Sequence, residues 1–296
     1  MLFVINLYSI FPFSMIIPVI LLNYNSSADC RKCVSFLKRQ ECVALEIIIV
    51  DNCSQEDEHT AVKTLCEKEG CTFIPAKENR GYNAGNNIGL RYAAKKGYKY
   101  ALIANPDMEF PQQDYIATLL SVMEEKQDVA VCGSNIIDTY GNRQSPKRHT
   151  GYYEELLWPI HGIWRRFSRK QLILDGKNQY CDILMGSCIF VRMSFIEKIG
   201  YFDESVFLYC EEVILGKQVK KLGMKMYYCH DISALHAHHE NTKGSFVKRH
   251  DVYWRSRWYY LTHYAGYNRF QLSLMWLSKK IFYSVKRIEF IIGRRK

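Results

Sequence analysis

Apolar runs and amphipathic stretches alternate along the first third of the chain. Four short apolar runs are bounded by turn-forming residues, which is typical of buried strands: 15–22, 46–50, 71–75 and 100–104. The stretches between them have helical patterning: 28–40, 56–69 and 86–97. This strand–helix order predicts an α/β fold, with a Rossmann-like, mostly parallel central sheet flanked by helices.

The rest of the chain is less regular. Its predicted elements are an apolar segment at 183–191, a helix at 211–222 and strands at 224–228 and 232–235. Residues 138–178 combine turn formers with aromatic and basic side chains and have no clear period. This pattern favours a loop, which could cover a binding site. From Arg269 onward, apolar and basic side chains alternate, and we expect a helical extension there.

The uncharged start of the chain has two interpretations. Residues 1–22 could span a bilayer by length, but Pro12 and Pro18 interrupt them. A buried strand that begins near Met15 is favoured, and residues 1–14 are then a leader.

Positive charge is concentrated at the C-terminus. The chain has a formal charge of +10, and residues 241–296 hold thirteen Lys and Arg against two acids, Asp251 and Glu289. We therefore divide the chain into a main domain at 15–245 and a basic helical segment at 246–296. Such a segment favours an anionic membrane surface as partner over nucleic acid, for which no recognition motif is present. Packing of a final helix on the main domain explains the segment equally well, and the two are compatible.

Eleven scattered cysteines, with no evident signal-peptide cleavage site, predict a reducing compartment. We expect a cytoplasmic protein that can associate with the inner face of the cell membrane. Cys30 and Cys33 form a CxxC without a second pair at zinc-ribbon spacing, so a metal or redox role is disfavoured.

Polar residues follow three of the predicted strands. Asn25, Asp51 and Asp107 each lie just past a strand's carboxyl end. In doubly wound sheets ligands bind beyond those ends, which predicts one shared crevice. Each residue taken alone is also typical of a turn.

Four motifs occur in order in this region: Asn23-Tyr24-Asn25-Ser26, Val50-Asp51-Asn52-Cys53-Ser54, Asn79-Arg80-Gly81-Tyr82-Asn83-Ala84-Gly85-Asn86-Asn87 and Asn105-Pro106-Asp107. With two further motifs downstream, they resemble the family 2 glycosyltransferases of GT-A fold, especially the bacterial rhamnosyltransferase-like branch. The resemblance covers about residues 15–265. It implies a nucleotide-binding half at 15–109 and an acceptor half at 110–245.

The resemblance implies a donor site and a metal site. The implied donor-binding residues are Asn23, Asn25, Asp51, Arg80, Asn83, Asn105, Gly186 and Ser187. Asp51 matches the aspartate that hydrogen-bonds the nucleoside base. Asp107 matches the acidic metal motif, with Glu109 and His236 as further candidate ligands. The implied cofactor is Mg²⁺ or Mn²⁺, because a hard cation neutralises a departing diphosphate.

The resemblance also implies a general base. Phe207-Leu208-Tyr209-Cys210-Glu211-Glu212 resembles a family stretch whose second acid deprotonates the acceptor hydroxyl. Glu212 stands where aspartate is commoner, and Glu211 is its neighbour or substitute. Paired acids are also typical of a solvated helix start. The implied reaction is inverting transfer from dTDP-rhamnose or a UDP-sugar to a glycan or lipid-linked acceptor in surface polysaccharide synthesis.

Two other functions are open. A sugar nucleotidyltransferase has a related sheet, but its glycine-rich loop with Arg does not match residues 23–25. A non-catalytic nucleotide-binding scaffold at the membrane would not need intact Asp107 and Glu212. The sequence therefore favours an enzyme, a metal-dependent hexosyltransferase.

Overall fold

The computed structural model describes residues 15–157, 176–237 and 246–293, with side chains except at 246–250 and 282–293. The predicted leader at 1–14 lies outside the described residues, as does part of the predicted loop at 138–178.

The fold is α/β, as the sequence predicts. The described strands are β1 (Ile16–Asn23), β2 (Ala44–Asp51), β3 (Thr72–Pro75), β4 (Tyr100–Ala104), β5 (Met108–Glu109), β6 (Val129–Asp138), β7 (Gln179–Cys181), β8 (Cys188–Arg192) and β9 (Lys225–His236). The described helices are α1 (Ser27–Leu37), α2 (Glu56–Glu69), α3 (Tyr82–Lys95), α4 (Tyr115–Glu125), α5 (Tyr152–Leu156), α6 (Met193–Lys198), α7 (Glu211–Lys221), α8 (Phe246–His263) and α9 (Arg269–Gly293).

These strands form one sheet in the order β3-β2-β1-β4-β8-β6-β9-β5, and β7 pairs with β9. β3, β2, β1 and β4 are mutually parallel. β8 runs antiparallel between β4 and β6, and β6 is parallel to β9. The parallel half brings the carboxyl ends of β1, β2 and β4 to one edge, where the sequence predicts the crevice.

Helices cover both faces of the sheet. Val19 and Leu21 of β1 pack in the cluster that contains α1, α2 and α4. Ile20, between them, packs in the cluster that contains α3, α6 and α7. A strand buried on both faces needs an uninterrupted apolar sequence, which explains the run in β1.

Helix α3 begins four residues before its predicted start. Its first turns contain Gly85 and Gly89, residues that weaken a helix on propensity alone. A Cβ at Gly85 would lie 2.4 Å from Leu22 Cδ1, and one at Gly89 would lie 2.5 Å from Ile20 Cγ2. The glycines therefore let α3 lie directly on β1, a tertiary reason that local patterning does not reveal.

Two predicted strands, 224–228 and 232–235, are parts of one strand, β9. The polar pair His230-Asp231 interrupts its apolar pattern, and Asp231 accepts a hydrogen bond from Asn178 Nδ2 at 2.8 Å. The register between β6 and β9 shifts between Ser134 and Asn135. This irregularity explains why one strand gives two apolar segments in the sequence.

Helices α8 and α9 pack with α5 and α7 in a third apolar cluster, which includes Ile214, Leu261 and Met275. Arg257 of α8 forms a buried ion pair with Glu155 of α5. Packing of the final helix on the main domain, one of the two interpretations of the basic segment, is therefore observed. None of the described helices is both long and apolar enough to cross a membrane.

Candidate active site

Asn23 and Asp51 end the neighbouring strands β1 and β2 and are both fully buried. Asn23 Nδ2 donates to Asp51 Oδ1 at 2.8 Å, and we call these residues the amide–carboxylate pair. The other oxygen, Oδ2, lies 2.7 Å from His59 Nδ1. Burial opposes ionisation of Asp51, but hydrogen bonds from Ser54, His59 and Asn23 outweigh it and lower its pKa. Asp51 is therefore a preformed anionic acceptor.

Asn25 joins the two loops that follow these strands. Its backbone has φ 53°, and its Oδ1 accepts a hydrogen bond from Gln55 N at 2.8 Å. Its own N–H donates to Ser54 Oγ at 3.0 Å. Asn25 and Tyr24 are exposed, so the loops present an amide and a ring beside the buried pair.

Asp107 and His236 form a second polar group, the carboxylate–histidine pair. Asp107 Oδ1 lies 3.3 Å from His236 Nε2, and both side chains are less than 20% exposed. Strand β5 sets this approach, because Met108 pairs with His236 and Ala237 N donates to Asp107 O at 2.9 Å. The opposite ring nitrogen, Nδ1, lies 2.9 Å from Gln144 Oε1.

Glu109, the third predicted metal ligand, is engaged elsewhere. Its Oε1 lies 2.6 Å from Lys32 Nζ of α1. Among the described residues, no three His, Cys, Asp or Glu side chains converge as a ready metal site. The structure thus brings Asp107 and His236 together and leaves Glu109 outside the pair.

Gly186 and Ser187 connect the end of β4 with helix α7, and we call them the Gly186–Ser187 bridge. Ser187 O accepts a hydrogen bond from Asn105 N at 2.8 Å. A Cβ on Gly186 would lie 3.2 Å from Glu212 Cγ and 3.5 Å from Glu211 Cγ. The bridge therefore places the loop that carries Asp107 next to both glutamates.

Glu211 and Glu212, the glutamate pair, start helix α7. Burial, with the neighbouring Glu212 carboxylate, raises the pKa of Glu211 to about 8. Glu211 Oε2 is buried without a hydrogen-bond partner among the described residues. The residues before the pair, Tyr209 and Cys210, have φ of 71° and 68°. Near neutral pH, Glu211 therefore holds a proton.

Tyr82 and His59 support this site, although neither was among the predicted site residues. Tyr82 Oη donates to Gly186 O at 2.7 Å, across 104 positions of sequence. No local pattern could connect them. His59 lies eight residues after Asp51, on the first turn of α2. This location close to the end of β2 was the signal by which its contact with Asp51 could have been predicted.

Arg80 and Asn83 contact the segment before α7 in this structure. Arg80 Nη2 lies 3.2 Å from Glu204 Oε2, and its side chain is 59% exposed. Asn83 Nδ2 donates to Asp203 O at 2.7 Å. Both predicted donor-binding residues therefore hold the 203–204 segment against the start of α3.

The candidate site residues follow one edge of the sheet. The amide–carboxylate pair ends β1 and β2, Asn105 follows the adjacent β4, and the Gly186–Ser187 bridge leads from Asn105 to the glutamate pair. Residues 51, 107 and 212 thus lie at the same end of the sheet, which we call the polar edge. Cys30 and Cys33 lie in the core beneath it, where burial raises the pKa of both thiols.

Known proteins resemble this chain in sequence. It is 26% identical over 219 residues to the low-salt glycan biosynthesis hexosyltransferase Agl10 of Haloferax volcanii, covering 74% of this chain and 66% of that protein. It is 25% identical over 275 residues to an N-acetylglucosaminyl-diphospho-decaprenol L-rhamnosyltransferase of Mycobacterium tuberculosis, covering 82% and 88%. The chain thus spans about two thirds of the first relative and most of the second.

A solved structure shares the fold. The mannosyltransferase PcManGT from Pyrobaculum calidifontis, in complex with GDP-Man and Mn²⁺, superposes with a TM-score of 0.57 at 15% identity. The match covers 93% of this chain and 74% of that one. The sequence pattern described as "Glycosyl transferase family 2" matches residues 18–200, which is more than half of the chain. The strand order, the polar edge and this match together show that the chain is a GT-A protein that belongs to glycosyl transferase family 2.

Proposed function

We propose that the protein transfers a sugar from a nucleotide-diphosphate donor to a hydroxyl group of a glycan or lipid-linked acceptor, with inversion. The observation that supports this best is the shared location of the candidate residues at the polar edge. Asp51 would bind the nucleoside, Asp107 the cation, and Glu212 would act as the base, and one displacement reaction requires these three functions close together.

The donor nucleoside would bind at the amide–carboxylate pair. Asp51 is held ionised by its hydrogen bonds, and it ends β2 beside the exposed loop residues Tyr24 and Asn25. The exposed Asn25 would line the base and ribose. The name of the mycobacterial relative, a rhamnosyltransferase, favours dTDP-rhamnose as donor, with a UDP-sugar as the alternative.

Asp107 and His236 would hold a divalent cation, Mg²⁺ or Mn²⁺. They fit because a carboxylate oxygen and an imidazole nitrogen, both ligand types that divalent metals use, lie 3.3 Å apart and mostly buried. The cation would neutralise charge on the departing diphosphate. PcManGT, which has the same fold, was solved with Mn²⁺. Glu109 would join only after leaving Lys32.

Glu212 would act as the general base. It takes the proton of the acceptor hydroxyl while that oxygen bonds to the anomeric carbon, and the bond from this carbon to the diphosphate oxygen breaks on the opposite side. The proton on Glu211 lowers the negative charge beside Glu212, so one carboxylate rather than two faces the diphosphate. Tyr82 fixes the Gly186 carbonyl next to the glutamate pair through its hydrogen bond.

Residues 15–109 would form the nucleotide half and 110–245 the acceptor half. The reaction would belong to surface polysaccharide synthesis, in the cytoplasm. Transfer to an acceptor at the inner face of the membrane suits the basic C-terminal segment.

The test is a screen of dTDP-rhamnose and the common UDP-sugars, with and without Mn²⁺. Thermal stabilisation reports donor binding, and release of nucleoside diphosphate reports transfer. We expect Asp107→Ala to abolish the metal-dependent stabilisation. Unchanged stabilisation in that variant would contradict the metal assignment.

The same screen tests the base. Glu212→Gln should retain donor binding and lose transfer by at least ~10²-fold. Glu125→Gln, at the exposed end of α4, is the matched control and should transfer normally. Near-normal transfer by Glu212→Gln would refute its role. Nucleotide binding without turnover of any donor would refute transfer and favour a scaffold.

A further inference from the structure

Helix α9 is fixed to the main domain along one side. Met275 is fully buried and Lys279 is 5% exposed. Ser278 Oγ, between them, donates to Leu156 O of α5 at 2.6 Å. Because this side is held, α9 cannot rotate to bury its opposite side without losing these contacts.

The opposite side of α9 carries a stripe of exposed apolar side chains. Phe270 is 72%, Leu277 50% and Ile281 56% exposed. Their spacing of seven and four residues places them on one helical face. Met275 lies about 140° and Lys279 about 180° around the helix from Phe270, at 100° per residue. We call Phe270, Leu277 and Ile281 the outer stripe.

A basic and aromatic edge runs beside the outer stripe. Arg269, Trp276 and Lys280 repeat the same seven-and-four spacing, about a quarter turn away, and all three are exposed. Lys280 Nζ lies 4.5 Å from the centre of the Trp276 ring. From residue 269 to the end, the chain has eight Lys and Arg and a single acid, Glu289. This end of the molecule attracts an anionic surface.

We propose that α9 docks the protein on an anionic lipid bilayer, with the outer stripe entering the boundary between headgroups and acyl chains. The cationic edge contacts the headgroups, and Trp276 lies at their level. An apolar face flanked by Lys or Arg and Trp is the pattern of helices that lie in the membrane plane. Charge complementarity selects this occupant, because a purely apolar partner would leave Arg269 and Lys280 unused.

The experiment uses the full chain and co-sedimentation with phosphatidylcholine vesicles, with or without phosphatidylglycerol, in the absence of any donor. We expect the anionic vesicles to bind the protein at least about tenfold more tightly at low salt and to release it as salt is raised. The double variant Leu277→Ser/Ile281→Ser should bind at least about tenfold more weakly. Because both side chains are exposed, its melting temperature should match the wild type.

Tyr140→Ser provides the matched control, since it removes a 78% exposed aromatic side chain far along the chain from α9. It should bind vesicles as the wild type does. Arg269→Glu/Lys280→Glu tests the charged edge and should abolish the preference for phosphatidylglycerol. Equal binding by the wild type and the serine variant would overturn the proposal. The proposal would also be overturned if the serine variant lost self-association in light scattering but still bound vesicles. That result would identify a second copy of the chain as the occupant of the outer stripe.

Discussion

Replacing Gly81 by alanine should disrupt both the stability and the activity of the protein. Gly81 precedes α3 with φ 97° and ψ −178°, a conformation that is essentially restricted to glycine. A Cβ built there would lie 2.2 Å from Phe207 O, which itself accepts a hydrogen bond from Tyr82 N at 2.8 Å. Alanine therefore meets both backbone strain and a collision with the segment that leads to the glutamate pair.

The structure gives the size of the effect. The strained backbone costs ~1–3 kcal/mol. To reach an ordinary separation, the Phe207 carbonyl must retreat by at least about 1.2 Å, which weakens its hydrogen bond from Tyr82 by ~1 kcal/mol. The sum, roughly 2–4 kcal/mol, should lower the melting temperature by on the order of 5 °C or more in a chain of this size. Transfer should fall further, because the displaced segment leads directly to Glu212.

Gly97→Ala is the matched control. Gly97 also has a positive φ, 76°, but no atom lies within 4 Å of its added Cβ. It should lose only ~1–2 kcal/mol and retain transfer. Thermal unfolding and nucleoside diphosphate release are measured for both variants. Equal melting temperatures for the two, or full activity in Gly81→Ala, would refute the steric argument.

Two further predictions concern buried charge. The pKa of Glu211 is raised from 4.5 to about 8 in the folded protein, so the folded state binds a proton that the unfolded state has lost, and stability should fall as pH rises through this window. Glu211→Gln should remove this pH dependence. Relative to wild type, the variant's free energy of unfolding in urea should rise by on the order of 2 kcal/mol at pH 8 compared with pH 5, a figure discounted for the partial exposure of Glu211. An unchanged pH dependence would contradict the assignment. Arg257→Ala should lower the free energy of unfolding by ~3–5 kcal/mol, because it leaves the Glu155 carboxylate, which is 4% exposed, without its cationic partner. The double variant Arg257→Met/Glu155→Gln should recover much of this loss. Equal stability of the single variant and the wild type would show that the pair is dispensable.

Much of the first half of the fold could be predicted from the sequence, because its strands are buried on both faces and read as continuous apolar runs. The start of α3 could not, since Gly85 and Gly89 are favourable there only through their contact with β1. Helix α4 and strand β6 were not predicted from the sequence. Strand β9 was divided because His230 and Asp231 find polar partners outside the strand.

The site could be predicted where its geometry follows from strand ends. Asn23 and Asp51 share a parallel register, so their contact follows from the sheet alone. The engagement of Glu109 by Lys32 could not be foreseen, because it depends on where α1 crosses β5. Arg80 likewise finds Glu204 across 124 positions of sequence. Side-chain partners that depend on how helices and loops pack cannot be predicted from the order and spacing of motifs in the sequence.

The first turns of α3 are tied to the segment before α7 by neutral amides. Asn83 Nδ2 donates to Asp203 O at 2.7 Å, and Asn87 Nδ2 donates to Phe202 O at 2.9 Å. Hydrogen bonds between amides and carbonyls are little affected by ionic strength, unlike attraction between a cationic helix and charged lipid. On this basis a rise in salt that frees the protein from a membrane would leave the candidate site assembled, and the released molecule would stay competent to bind the membrane again.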